Sequence, residues 1–287
     1  MLDWLQNTWN TVYGAISQTV ISAFPFLHII LMVIAGCLGS MLYDQIKPDH
    51  RNAVLRALGI GVIMMGFSEL WDGFFVLQTG QFETTGTLLV VFALILGYVF
   101  GDALALDRSL GKLGVRLYRL FAKDSTAAVA DKETKNAPTP PAKPSQIPSA
   151  NGFMLATLIC AFAGSTIRYA VESQTATDAI PLLIKLGFDM IVIFVLAALY
   201  GSNVPFAAIP TFAVSGVLLL VNQFWGHLLT LTLMNQLALV GAAILITTGI
   251  SLSLGKKVRS ANLIPAFFVP VIYGLIMLLV NKLMESE

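Results

Sequence analysis

Lys185 and Asp189 stand four residues apart inside an otherwise apolar run, Leu182–Pro210, which reads LLIKLGFDMIVIFVLAALYGSNVPFAAIP. Ionisable side chains at membrane depth are costly, so they mark ion or substrate pathways or else pair with one another. In a helix starting near Ala179, a rise of about 1.5 Å per residue puts Asp189 roughly 15 Å deep, close to the midplane of the hydrocarbon layer. Lys185 lies one turn shallower on the same face. The pair reads either as a proton or cation relay at Asp189 tuned by Lys185, or as a structural ion pair locking this helix to its neighbours. Lys185 also has the length to snorkel outward.

A second set of candidates sits at two similar turns. Gly201-Ser202-Asn203-Val204-Pro205 leads into one apolar segment, with Pro210 beyond it, and Ser260-Ala261-Asn262-Leu263-Ile264-Pro265 leads into another, with Pro270 beyond it. Asn caps helix N-termini, and Pro suits the first helical turn. The sharper reading has these N-termini entering the membrane with their positive dipole ends toward an anionic solute. On that reading the pathway candidates are Asp189, Lys185, Asn203, Asn262, Pro265 and Pro210.

The other polar residues carry less. Arg168 and Glu172 are spaced as a rim salt bridge. Glu69 and Asp102 fall near the ends of apolar segments and read as interfacial. His28, early in the first segment, faces a polar partner or the headgroups. Cys37 and Cys160 lie in apolar runs and read as small hydrophobes. No zinc spacing, phosphate loop or nucleophile elbow occurs. The chain is therefore expected to be no enzyme, and to hold no cofactor or metal.

The elements around these residues are helices in lipid. The 287 residues are 56% hydrophobic and 11% charged, with mean hydropathy +0.79. Soluble domains carry about 25% charged residues, so this chain cannot cover a water-facing surface. A span needs about 20 apolar residues. Eight segments qualify: 26–43, 53–71, 86–106, 152–171, 179–200, 205–225, 236–254 and 261–281. Basic residues alternate between loops: Lys47 and Arg51 after the first span, five after the third, and Lys256, Lys257 and Arg259 after the seventh. By the positive-inside rule both termini are expected outside, which in a bacterium, with the chain in its inner membrane, would mean the periplasm or cell exterior.

The expected fold is all-α with about eight transmembrane helices. Residues 1–24 form an amphipathic interfacial helix, with Leu2, Leu5, Trp9, Val12, Ile16 and Val20 at helical spacing, set off by Pro25. Residues 25–106 form a three-span segment. Residues 107–123 form a basic amphipathic helix on the cytoplasmic membrane surface. There Arg108, Lys112, Arg116 and Arg119 would meet anionic lipid headgroups. Residues 124–150, polar and Pro-rich, form a disordered linker. Residues 151–282 form a five-span segment. Small residues four apart, Gly36 with Ser40 and Gly97 with Gly101, let helices approach closely. Glycines in spans two and seven suggest that spans one to three recur, inverted, as spans six to eight, a transporter arrangement. The Gly-rich faces permit a homo-oligomer.

From about residue 26 to 275 the chain resembles a bacterial integral membrane family known only as a domain of unknown function, the YqgA/YdfK-like proteins (domain of unknown function 554). The resemblance is carried by the Leu182–Pro210 stretch and by LALVGAAILITTGISLSLGKKVRSANLIPAF. These match a Lys-x-x-x-Asp helix, an Ala-Ile-Pro segment and an Ala-Asn-Leu-x-Pro-Ala segment. Lys185, Asp189, Pro210, Asn262 and Pro265 are the positions that fit. His28 stands where the family is expected to carry Asn. The resemblance implies an integral membrane protein, with transport of a small solute or ion as the first expectation. A scaffold or assembly partner in the membrane is the alternative.

Overall fold

The computed structural model describes residues 2–78, 81–84, 87–130, 150–167, 180–225, 231–255 and 258–284. The main helices are α1 (Leu2–Met41), α2 (Pro48–Phe74), α3 (Thr87–Ala103), α4 (Leu106–Ala130), α5 (Ala150–Ala161), α6 (Ile180–Tyr200), α7 (Ala208–Trp225), α8 (Leu231–Leu254) and α9 (Phe268–Met284). Short 3-10 segments, Val204–Ala207 and Ser260–Phe267, lead into α7 and α9. Among the described residues six helices are long and apolar enough to cross a membrane. The count is seven if α3 and α4, which meet at a 60° bend, form one span. Phe26, Leu88, Phe92 and Val217 point outward, Leu88 at 81% exposure, as side chains do when lipid is the solvent.

This departs from the expected eight spans. The segment expected at 152–171 holds a helix of only 12 residues, α5, followed by a break and a helical turn from Gly164. Every residue from Gly152 to Ala161 is buried. A helix apolar all round packs inside a bundle, and α5 is the bundle's centre. Its two ends meet different ends of the molecule. Gly152 packs against Tyr200 and Val204, while Gly164 packs against Ala238 and Glu69.

Three further expectations change. Residues 1–24 are not set off by Pro25, because α1 runs through it without a break. Pro25 removes one backbone bond, and a neighbouring helix supplies packing in its place: Phe24 is buried against Leu182 and Leu186. Such prolines are tolerated where helices support one another. The fold is not purely α: Phe75–Gln78 pairs antiparallel with Gln81–Thr84. Phe, Val and Thr favour strands, and Thr79-Gly80 stands between them in the chain, a two-residue hairpin spacing with Gly. Finally, α4 continues to Ala130, so residues 124–130, expected as linker, are helix; residues 131–149 lie outside the described residues.

Helix pairs follow the glycines. α2 lies antiparallel on α8, where Gly59 and Gly249 face each other: a Cβ on either would come within 2.8 Å of the other's carbonyl oxygen. Gly97 and Gly101 of α3 bring that helix onto the backbone of Ala266 and Asn262, and Gly36 of α1 lies against Pro205. Gly201 (φ +92°) and Gly255 (φ +64°) close the two turns in a left-handed conformation that suits glycine. These turns share one end of the bundle, called here the turn end.

α4 crosses the turn end as a strap. It follows the bend at Ala105, a non-glycine residue at φ +50°. Its buried Gly114 lies against Phe153 of α5, Leu110 and Leu117 pack on the core, and Tyr118 meets Phe206 edge-on at 6.3 Å. The inner apolar residues of α4 thus meet protein rather than a membrane surface, while Arg108, Lys112 and Arg116 remain exposed. Leu113 and Leu120 also face outward.

Candidate functional site

α6 is apolar except at Lys185 and Asp189, and four-residue spacing stacks the two on one face. That face turns inward, with Lys185 3% and Asp189 0% exposed. Lys185 Nζ donates to Asp189 Oδ2 at 2.6 Å. His28 Nε2 of α1 reaches the same oxygen at 2.7 Å. An ionised carboxylate only accepts, so the ring donates from Nε2. Phe24 stacks on the His28 ring at 5.2 Å, which helps fix its orientation. Both bonds fall on Oδ2; buried Oδ1 has no hydrogen-bond partner.

α5 and α2 complete the surroundings. The buried Cys160 thiol feels the charges of both Asp189 and Lys185. Glu69 of α2 is 7% exposed and feels Lys185. Its two oxygens accept from the backbone N–H groups of Gly164 at 2.7 Å and Ser165 at 3.0 Å. The break after α5 exposes amides that no preceding turn satisfies, and the Glu69 carboxylate satisfies them. Glu69 was expected to be interfacial. It is buried because the broken helix supplies its partners.

The remaining candidates gather elsewhere. About 16 Å of helix separates Asp189 from Tyr200 at the turn end. There Asn203 is buried, but its side chain does not cap its own 3-10 segment. Asn262 likewise does not cap the segment it belongs to. Its Oδ1 accepts from Asp107 N at 3.2 Å, capping α4, and its Nδ2 donates to Asp102 Oδ1 at 3.0 Å. Asp102 also pairs with Arg259 at 2.6 Å, both half exposed. The capping expected from sequence is therefore real at Asn262 but serves a helix 155 residues away in the chain. Pro205 and Pro210 occupy early helical positions, where the absent N–H costs little. Pro265 lies within its 3-10 segment. The structure thus joins Asp189 and Lys185 to His28, places Glu69 on the neighbouring helix break within electrostatic reach of Lys185, and sets Asn203, Asn262, Pro265 and Pro210 apart. Arg168, Glu172, Lys256 and Lys257 lie outside the described residues.

An apolar cavity of about 500 Å³ opens between α7, α8 and α9, lined by residues such as Val217, Leu237, Phe267 and Leu275. None of the four ionisable side chains lines it.

Residues 25–275 match the family model described as "Protein of unknown function (DUF554)". The chain belongs to that family. It is also similar to the protein titled "Uncharacterized membrane protein YdfK" of Bacillus subtilis (strain 168). The two are 22% identical over 241 residues, which cover 84% of this chain and 90% of that protein. No solved structure matches. With its apolar helices, the chain is a multi-pass integral membrane protein related to a bacterial one.

His28 and Glu69 are the functional candidates that sequence reasoning missed as partners. His28 lies 161 residues from Asp189, and only its position within an apolar run marked it. Glu69 carried a similar signal, a carboxylate in an apolar segment, but its partner is a helix break that no local motif announced.

Proposed function

We propose that this protein is a secondary transporter of a small solute or ion rather than an enzyme, with Asp189 on the path. The observation that carries this is the buried Lys185–Asp189–His28 cluster beside a broken helix. Replacing a buried ion pair with apolar groups often leaves stability unchanged or improves it. Its presence in the core of a membrane bundle therefore argues for a role beyond holding the fold. Broken helices beside ionisable groups are a recurring way to build a midplane site.

On this reading α5 and the turn from Gly164 make an eighth, discontinuous crossing. The opposed packing of Gly152 and Gly164 supports it, as does the alternation of basic loops. Eight crossings put both termini outside a bacterial inner membrane. They also make spans six to eight an inverted copy of spans one to three, which would set Gly59 and Gly249 across a pseudo-two-fold axis. The exposed Arg108, Lys112 and Arg116, with Arg119, would meet anionic headgroups from the cytoplasmic side.

A second reading, a membrane scaffold or assembly partner, draws on the absence of solvent exposure at Asp189. There the cluster would lock α6 to α1. Reconstituted vesicles separate the two. Ion- or proton-driven currents on concentration jumps should appear with the native chain and vanish with Asp189→Asn. Equal currents with both proteins would remove Asp189 from any path. No current under any ion or proton gradient would favour the scaffold.

A further inference from the structure

We infer that the apolar cavity between α7, α8 and α9 is a binding site for one hydrocarbon chain of a bilayer lipid. The site stands apart from the buried ionisable side chains and does not rest on the transport reading. Every residue lining the cavity is apolar. Water placed there would find no hydrogen-bond partner, and cavities of that kind stay dry. A void left empty costs stability in proportion to its volume. Something apolar therefore occupies it, and the solvent around this bundle is hydrocarbon. The mouth is continuous with the lipid-facing surface: Val217 of α7 and Phe268 and Leu275 of α9 line the cavity and are exposed. Its inner wall includes Ile167, Leu233 and Leu237, which form one buried apolar cluster.

Size and depth select a single chain. A dry cavity of about 150 Å³ takes one benzene ring. At about 500 Å³, this one holds roughly three such six-carbon units, about eighteen carbons. On α9 the lining runs from Phe268 to Leu278, about 15 Å of helix. One leaflet supplies half of a hydrocarbon layer about 30 Å thick. The lining also keeps to one half of the bundle. Leu233 and Leu237 fall in the first two turns of α8, and Val221 in the last two turns of α7. Those helix ends lie away from the turn end. The floor is the break after α5. Ala161 and Phe162 line it, and the Phe162 ring stacks on Phe267 with centroids 5.7 Å apart. A chain from the leaflet opposite the turn end thus enters from the lipid side with its terminal methyl toward Phe162 and Phe267. The stretch that follows Ile167 reads RYAVESQTATDA, too polar a composition to fill an apolar cavity.

The test uses the purified full chain in phosphatidylcholine nanodiscs doped with an analogue that carries a diazirine at the end of one stearoyl chain. After irradiation the labelled residues are mapped by mass spectrometry. Label at Phe162 and Phe267 should exceed label at Phe92 and Ile95, on the exposed face of α3, at least threefold. One phospholipid per chain should also survive delipidation in mild detergent, counted by native mass spectrometry. Gly274→Leu and Val217→Trp each add apolar volume to the cavity wall. A Cβ at Gly274 meets Leu233 at an ordinary 3.6 Å, and Val217 is exposed, so both variants should fold, as thermal unfolding would verify. Each should lower the floor label and the retained lipid at least fivefold, while Ile95→Trp on α3 leaves both unchanged. If neither filling variant folds, the label map and lipid count of the native chain decide alone. Floor label no greater than that on α3, no retained lipid, or values unchanged in both folded variants would overturn the inference. So would a dimer of the native chain that Val217→Trp dissociates without any floor label, which would give the cavity to a second copy.

Discussion

Replacing Lys185 or Asp189 alone should be far more damaging than replacing both. Lys185→Met leaves the Asp189 carboxylate buried with only the His28 N–H bond, 2.7 Å long. Asp189→Leu leaves the Lys185 ammonium 3% exposed without its 2.6 Å partner. Stranding one charge of a buried pair costs about 3–5 kcal/mol. Independent losses would therefore sum to roughly 6–10 kcal/mol. The double replacement removes both charges and keeps apolar volume in their place. What remains is His28 Nε2 without an acceptor, about 1–3 kcal/mol. The double variant should thus be no less stable than either single one, and the shortfall from additivity is the coupling. Reversible unfolding in mixed detergent micelles, native and three variants side by side, reads it directly. Additive costs would refute the direct pairing on which the candidate site rests. Adding His28→Leu to the double variant should then cost little further, because its partner is already gone.

Glu69→Ala should expose the amides of Gly164, a buried donor, and Ser165, a part-buried one, at a cost of about 1–3 kcal/mol for the first and less for the second. Hydrogen exchange at those two residues should rise well before exchange in α6; protection unchanged there would mean another group holds the break. Gly249→Ala should destabilise by about 1–3 kcal/mol through overpacking, since its Cβ would lie 2.8 Å from the Gly59 oxygen. Gly61→Ala, with nothing within 4 Å, should be neutral or gain up to about 1 kcal/mol from helix propensity. Equal effects at the two positions, by the same unfolding assay, would contradict the α2–α8 packing. Asn262→Ala removes the cap on α4 and the bond to Asp102. It should loosen α4 selectively, seen as faster exchange across 106–118 with α6 unaffected.

Local chemistry made much of this molecule legible. Mean hydropathy and the scarcity of charge gave the solvent, and runs of about 20 apolar residues gave most of the helices. The i,i+4 spacing gave the shared face of Lys185 and Asp189. Gly97 and Gly101 announced a close approach, and they make one. The illegible parts depend on contacts distant in sequence. α5 looked like part of an ordinary span because its composition is that of a lipid-facing helix. Burial on every side produces the same composition, and only packing distinguishes the two. The amphipathic pattern of α4 has a similar ambiguity: an apolar stripe predicts something apolar beneath it, whether membrane or protein. Here Gly114 on Phe153 and Tyr118 on Phe206 identify protein.

The site followed the same rule with one addition. A polar residue in an apolar segment predicts a partner without naming it, because the cost of burial is local while the group that offsets it is not. Lys185 named Asp189 only because one helix holds both. His28, Glu69 and Asn262 each solved the same problem through space, using Asp189, the amides of a broken helix and the first turn of α4. Residues that look interfacial by position deserve a second hypothesis whenever the chain also holds an unmatched break or charge. In this protein that reasoning moves Glu69 from the rim to the break after α5, where its carboxylate holds two backbone amides that the chain itself leaves open.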